Sequence, residues 1–262
     1  MKILVLHGSM RKGNTYSLVQ EILSRLSSKP DVAIQEISVA DAALPFCRSC
    51  HMCFSKGEEY CPDYSVMQDV QAALLDCDGL IVSGVTYMWA LNAAMKNLLD
   101  HLAYGFHRPA LFGKKGMIVT TATGAGEKSV AKYLKSVLGQ WGINQAIIVT
   151  QNEKEQKLLT PARFSAKLDR AAEQFYQQVA MKKMLPPSMK NIAVHNAFRA
   201  MSLSEFSESE RDARFWRQDG MNSVYPVKAG ALRHAVGAVV FAASKHMTQL
   251  LGALYGKRRG ES

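Results

Sequence analysis

Two rhythms of apolar and polar residues alternate along residues 1–180. KILVL (2–6) is a short continuous apolar run, suited to a parallel strand buried on both faces. Over 15–26 the rhythm changes, with Leu18, Val19, Ile22, Leu23 and Leu26 recurring at helical spacing. VAIQEIS (32–38) alternates like an edge strand, and 66–75 returns to the helical period. GLIVSGV (79–85), GMIVTTA (116–122) and AIIVT (146–150) read as further strands. Between and after them, 91–102, 128–138 and 163–179 read as helices, the first with Leu91, Met95, Leu98, Leu99 and Leu102 on one face. Strands alternating with helices of this length require βαβ crossovers, and so a parallel sheet covered on both sides. Five such strands predict a three-layer α/β sandwich with strand order 2-1-3-4-5.

The rhythm breaks at Met184-Leu185-Pro186-Pro187, which divides the chain into a sandwich domain, 1–184, and a mainly helical C-terminal extension, 185–262. The extension holds a Ser/Glu cluster (202–210) and ends in an amphipathic helix over 231–255. Its stripe is Leu232, Ala235, Val236, Val239, Ala243, Met247, Leu250, Leu251 and Leu254, with Arg233, Ser244, Lys245 and Thr248 mostly off it. Such a stripe docks on a core or on a second subunit. With basic flanks such as Lys257-Arg258-Arg259, it can also lie on a membrane surface.

Charge sharpens the division. Residues 1–180 carry 19 Lys+Arg against 16 Asp+Glu, leaving 13 against 6 for the rest of a chain whose net charge is +10. The basic excess therefore belongs to the C-terminal third. A basic face attracts nucleic acid, anionic lipid or acidic partners, or is simply solvated. Nucleic acid is not expected, because it explains none of the motifs below. No uncharged apolar run reaches the roughly 18 residues of a membrane-spanning helix. The first strand begins at residue 2, so the expected compartment is the reducing cytoplasm, where structural disulfides are rare.

The first strand leads into HGSMRKGNTYS (7–17) and then a helix. Glycines admit close backbone approach, hydroxyl and amide side chains supply donors, and a helix N-terminus adds free N–H groups and a positive dipole end. This is the composition of a phosphate cradle. It lacks the Gly-Lys-Ser/Thr ending of a P-loop and does not match G-x-G-x-x-G. The plain reading is a capped βα turn with Asn14 or Thr15 as N-cap.

Gly8-Ser9-x-Arg11-x-x-Asn14-Thr15 after the first strand resembles the NAD(P)H-dependent FMN reductase branch of the flavodoxin-like superfamily. VTYMWALNAAMKNLLDHL (85–102) resembles that family's flavin loop and following helix, with Tyr87, Lys96, Asn97 and Asp100 matching. Val85 stands where many members have proline, and His101 where many have arginine. TTATGAGEKS (120–129) occupies the loop that borders the isoalloxazine ring in that family. The resemblance implies a flavodoxin-like fold, with FMN phosphate on Ser9, Arg11, Asn14 and Thr15. It implies Thr86, Tyr87, Met88 and Trp89 along the ring and ribityl chain, and Thr121, Thr123 and Gly124 completing the pocket. It also implies homodimers or homotetramers, for which 88–91 and the C-terminal helix are the candidate interfaces.

FCRSCHMCFSKGEEYCP (46–62) holds four of the five cysteines as C-x2-C-x2-C-x7-C: Cys47, Cys50, Cys53 and Cys61. It follows the second strand and so lies on the same ligand-binding edge. Iron–sulfur flavoproteins of this superfamily resemble it, with a compact four-cysteine motif for a [4Fe–4S] cluster in this loop. Free or redox-active thiols also fit, and zinc fits less well, since it favours two separated C-x2-C hooks. Ser65-Val66-Met67 keeps only the methionine of the family's Asp-Asp-Met signature. Cys77 reads as a small buried hydrophobe.

The implied function is FMN-dependent NAD(P)H oxidation, with electrons passed to a quinone, flavin, nitro or azo compound, metal ion or partner protein. The alternative is an electron carrier between protein partners that does not oxidise nicotinamide. Hydride transfer to a flavin needs geometry and no obligatory acid or base, so no catalytic side chain is expected. His7 and His107 read as surface or capping residues.

Overall fold

The structure is a computed structural model. It describes residues 1–259 except 206, 208, 219, 222, 227 and 228, and describes only the backbone of 253–259.

β1 (Lys2–His7) pairs in parallel with β2 (Ala33–Ser38) on one side and β3 (Gly79–Tyr87) on the other. β3 continues to β5 (Lys115–Ala122), and β5 to β6 (Ile147–Asn152), all parallel. A two-residue strand, β4 (Ala90–Leu91), folds back antiparallel onto β3. The order β2-β1-β3-β5-β6 is the expected 2-1-3-4-5, renumbered by that short hairpin. β2 is an edge strand and is only partly buried, as its polar alternation implied.

Alternate side chains of each buried strand enter opposite layers, because successive Cβ atoms point to opposite faces. Ile3, Val5, Ile81, Met117 and Val119 pack with α1 (Asn14–Ser27) and α7 (Pro161–Ala180). Leu4, Leu6, Leu80, Val82 and Ile118 pack with α3 (Tyr64–Asp76), α4 (Ala93–His101) and α5 (Glu127–Gln140). Each fully buried side chain of this type contributes about 1.5–3 kcal/mol. Two short helices, α2 (Met52–Ser55) and α6 (Glu153–Leu158), lie in loops at the carboxyl edge.

The extension forms α8 (Met189–Ser202), α9 (Glu210–Trp216) and α10 (Ala231–Arg259). Polar ties join it to the sandwich, with Asn144 Nδ2 donating to Leu185 O at 3.0 Å and lying 3.3 Å from Tyr225 Oη. His195 sits among Phe112, Trp216 and Tyr225 rings, and burial pushes its pKa down to about 3. It is therefore a neutral core residue.

The apolar stripe of α10 does not dock on the core. Leu232 is 73% exposed and Val239 67%, and Met247, Leu250 and Leu251 are exposed too. The helix rests on α8 through its opposite side. A Cβ at Gly237 would stand 2.3 Å from Val224 Cγ1 and 3.0 Å from Ile192 Cγ2, and Arg199 lies 4.1 Å from the Phe241 ring centroid. The reason is steric, since Gly237 lets the backbone approach more closely than the leucine stripe would. The side chains of Leu254, Lys257, Arg258 and Arg259 lie outside the described residues. Among the described residues, no helix is long and apolar enough to cross a membrane.

Candidate cofactor sites at the carboxyl edge

Four loops leave the carboxyl ends of β1, β2, β3 and β5, the edge where open α/β sheets bind ligands. The loop after β1 begins with Gly8, whose N–H donates to Ser83 O at 3.1 Å. A Cβ there would sit 2.4 Å from that oxygen, so only glycine allows the loop to approach β3. Ser9 Oγ donates to Arg11 O at 2.5 Å, a bond that an incoming anion would have to replace. Arg11 is exposed and has no ion pair among the described residues. The expected N-cap moves one residue back, to Gly13, with no side-chain cap. Glycine leaves the first-turn N–H groups of α1 without a capping oxygen, which suits an anion better than an Asn14 or Thr15 cap would.

Thr15, in the first turn of α1, meets Thr121, near the end of β5, with Oγ1 atoms 2.6 Å apart in a buried contact. Thr86 Oγ1 is buried and has no hydrogen-bond partner among the described residues. Gly126 (φ +102°) lets the last loop close on Thr86 and Trp89, because a Cβ would meet Thr86 Cγ2 at 2.9 Å. Gly124 faces open space, and Thr123 is exposed. Tyr87 is also exposed. Met88 (φ 47°) and Trp89 (φ 63°) form the two-residue turn between β3 and β4. Positive φ at both central positions is the requirement of a type I′ turn, and it costs about 1–2 kcal/mol per non-glycine residue. That turn holds Met88 95% and Trp89 70% exposed.

Glu127 is buried at the start of α5 and was not legible as a site residue. Its Oε1 accepts from Asn152 Nδ2 at 2.9 Å, and Oε2 has no partner among the described residues. Asn92, also unpredicted, donates from Nδ2 to Gly8 O at 2.6 Å while its Oδ1 accepts from Val85 N–H at 3.3 Å. It fastens the β1 loop to the β3 loop.

Cys47, Cys50, Cys53 and Cys61 all line one cavity of about 230 Å3, together with Asp63 and His101. Asn97 on α4 anchors the loop's entry. Its Oδ1 accepts from Cys47 N–H at 2.9 Å, and its Nδ2 donates to Leu44 O and Pro45 O. His101 Nε2 lies 3.0 Å from Pro45 O, which can only accept, so Nε2 carries the proton. Nδ1 faces Cys61 Sγ at 3.8 Å. Cys61, Asp63 and His101 place ligand atoms within 4.8 Å of one another. A four-iron cluster puts each thiolate on a different iron, so its ligands stand further apart than those of one ion.

The extension closes the far side of this loop. Arg108 Nη2 donates to Cys53 O at 2.6 Å and to Glu58 Oε2 at 2.9 Å, while Nη1 pairs with Asp212 Oδ1. His107 Nδ1 donates to Asp212 Oδ2 at 2.8 Å, and Ser209 Oγ donates to Phe54 O at 2.6 Å. Burial, reinforced by Cys61, pushes the Cys53 thiol up to about 11, and burial raises Cys61 as well. Both are neutral thiols at pH 7 until a metal replaces their protons. Cys77 lies apart under α3, its Sγ donating to Leu74 O at 3.4 Å. His7 is buried against Glu36, with Nε2 2.6 Å from Oε2.

Residues 1–153 match the family described as NADPH-dependent FMN reductase. The chain belongs to that family. The chain is 25% identical over 229 residues to an iron-sulfur flavoprotein of Archaeoglobus fulgidus. That alignment covers 84% of this chain and 99% of the relative, and so reaches beyond residue 184. Iron-sulfur flavoprotein MJ1083 of Methanocaldococcus jannaschii is 27% identical, over 58% of this chain and 78% of its own. Among solved structures, the apo form of the NADH:FMN oxidoreductase EMOB has the same fold. Its TM-score is 0.52 at 21% identity, covering 67% of this chain and 88% of that one. An azoreductase from Bacillus anthracis has a TM-score of 0.50 at 14% identity, covering 70% and 98%.

Proposed function

We propose that this flavin-dependent oxidoreductase binds FMN across the β1, β3 and β5 loops, holds a [4Fe–4S] cluster on Cys47, Cys50, Cys53 and Cys61, and takes electrons from NAD(P)H. The observation that carries the reading is α4. Asn92, its N-cap, ties down the β1 loop, and Asn97, five residues on, ties down the cysteine loop. One rigid helix thus holds both candidate sites at the same sheet edge. The iron-sulfur flavoproteins named above support the pairing.

The residues present fit FMN. Arg11 and the uncapped start of α1 suit a phosphate, and the orphaned Thr86 hydroxyl supplies a buried polar group for the cofactor. Four thiols around one cavity fit a cluster. FMN, when bound, supplies hydride and single-electron chemistry, and a cluster supplies single-electron chemistry. The chain's own part is to bind, orient and exclude water. Arg11 neutralises phosphate charge, and the Thr15–Thr121 contact ties the start of α1 to the end of β5. Asn97 and Arg108 fix the backbone at Cys47 and Cys53, so that the thiols do not have to be ordered when metal binds. The exposed turn at Met88 and Trp89 supports a homodimer or homotetramer in which a second copy covers it.

The cysteine cavity also favours a second reading, a carrier of single electrons between proteins. Steady NADH or NADPH oxidation by flavin-loaded protein with a soluble quinone separates the two. Multiple turnovers support the reductase, and a single flavin reduction or none supports the carrier.

A further inference from the structure

A second cavity, of about 200 Å3, lies between the sandwich and α9, on the other side of Arg108 from the cysteine loop. Its walls are apolar, with Leu74, Tyr104, Trp141 and Phe215 among them. Its rim carries Arg211 and Arg214 on α9, one helical turn apart. The lining of the cleft is rich in cations, and the carboxylates that face them, apart from Glu58, stand outside the lining: Asp212 against Arg108, Glu59 against Arg211 and Glu210 against Arg214. Of the lining residues, Arg108, Arg211 and Arg214 are cationic and only Glu58 is anionic. Glu58 is already taken by Arg108 at 2.9 Å. Arg211 stands 3.6 Å from both Glu58 and Glu59, beyond hydrogen-bond distance, and Arg214 reaches only the exposed Glu210, at 3.5 Å.

We propose that this cleft binds a small aromatic carboxylate, with its ring against Tyr104, Trp141 and Phe215 and its carboxylate on Arg211 and Arg214. Apolar walls with a few convergent polar groups are the usual make-up of a small-molecule site. This cavity is smaller than the roughly 300–1,000 Å3 that suits drug-sized ligands, so it takes one or two rings. Planar guanidinium groups favour carboxylates because each can donate two parallel hydrogen bonds. The site goes beyond the flavin reading and does not depend on it. It shares only Arg108 and Glu58 with the supports of the cysteine loop.

The test is calorimetric titration of the full-length protein, saturated with FMN, with 2-naphthoate and with the neutral 2-naphthalenemethanol. Naphthoate should bind at least tenfold more tightly than the alcohol. Arg211→Gln with Arg214→Gln should remove that preference, weakening naphthoate about tenfold or more and leaving the alcohol unchanged. Leu75→Glu, at an exposed position on the cavity wall, should also weaken naphthoate without threatening the fold. Thermal unfolding of each variant checks that the fold is kept. Absence of naphthoate binding, equal binding of the two probes, or binding untouched by both variants would overturn the proposal. Naphthoate binding seen only without FMN would do the same, since it would place the ligand in the flavin site.

Discussion

Asp212→Ala removes the carboxylate that joins the extension to the cysteine loop. Asp212 is 2% exposed and Arg108 5%, so the pair is largely shielded from water. Asp212 accepts from both Arg108 and His107. Burial alone would raise its pKa, yet the hydrogen bonds and charges of His107 and Arg108 outweigh that and hold it below its ordinary 3.8. Deleting one member of a buried ion pair typically costs about 3–5 kcal/mol, because the other charge is left uncompensated. Here Glu58 still reaches Arg108 at 2.9 Å and is itself partly exposed. The expected loss is therefore about 3 kcal/mol, the lower end of that range. Urea unfolding measures it, provided that the slope with denaturant stays constant. Asp212→Leu combined with Arg108→Met removes both charges and should be less destabilising than Asp212→Ala alone. The sign of the pH effect follows from the lowered pKa. The Asp212 contribution is complete at neutral pH and fades as pH falls through 3.8 and below. A loss under about 1 kcal/mol for Asp212→Ala, the size of an exposed pair, would refute the reasoning. So would a double variant less stable than the single one.

Ser9→Ala with Arg11→Ala should weaken FMN binding by roughly 10- to 100-fold, the worth of one or two charge-assisted hydrogen bonds, as measured by flavin fluorescence in titration. Cys50→Ser with Cys53→Ser should abolish bound iron and leave FMN in place, as read from iron assay and flavin absorbance on the same sample. Asn97→Ala should cost about 1–3 kcal/mol through the unpaired Cys47 N–H and the two lost carbonyl bonds, and should lower iron occupancy. Without metal, iodoacetamide alkylation of Cys53 should keep rising toward pH 11 rather than levelling near an ordinary thiol's value. Because that pKa is raised, the stability this thiol contributes is present below pH 9.0 and lost as pH climbs from there toward about 11.

The sandwich was legible because its strands are buried on both faces, which leaves continuous apolar runs such as KILVL and GMIVTTA. The hairpin strand β4 was not, since two residues carry no period, and its turn uses Met88 and Trp89 where Asn-Gly would have signalled it. The first-loop and β3-loop residues were proposed as cofactor ligands from short motifs along the chain and their family resemblance, and they lie on the carboxyl edge of the sheet. Asn92, His101, Arg108, Glu127 and Asp212, which brace the candidate loops, were not singled out because their partners lie far away in sequence. Arg108 and Asp212, for example, are 104 residues apart. The α10 stripe was visible as a period, but a period does not say which face meets the protein. Gly237 marks the face that meets α8, where a Cβ would stand 3.0 Å from Ile192 Cγ2.

Protein purified without oxygen, with its absorption spectrum recorded before and after dithionite and its flavin, iron and sulfide assayed, tests the central claim most directly. The account predicts one FMN and about four irons per chain, with a broad visible absorbance that bleaches beside the flavin bands. Flavin with no iron would leave the four cysteines as thiols and contradict the cluster. Absence of flavin, even after FMN is added, would contradict the account at its base.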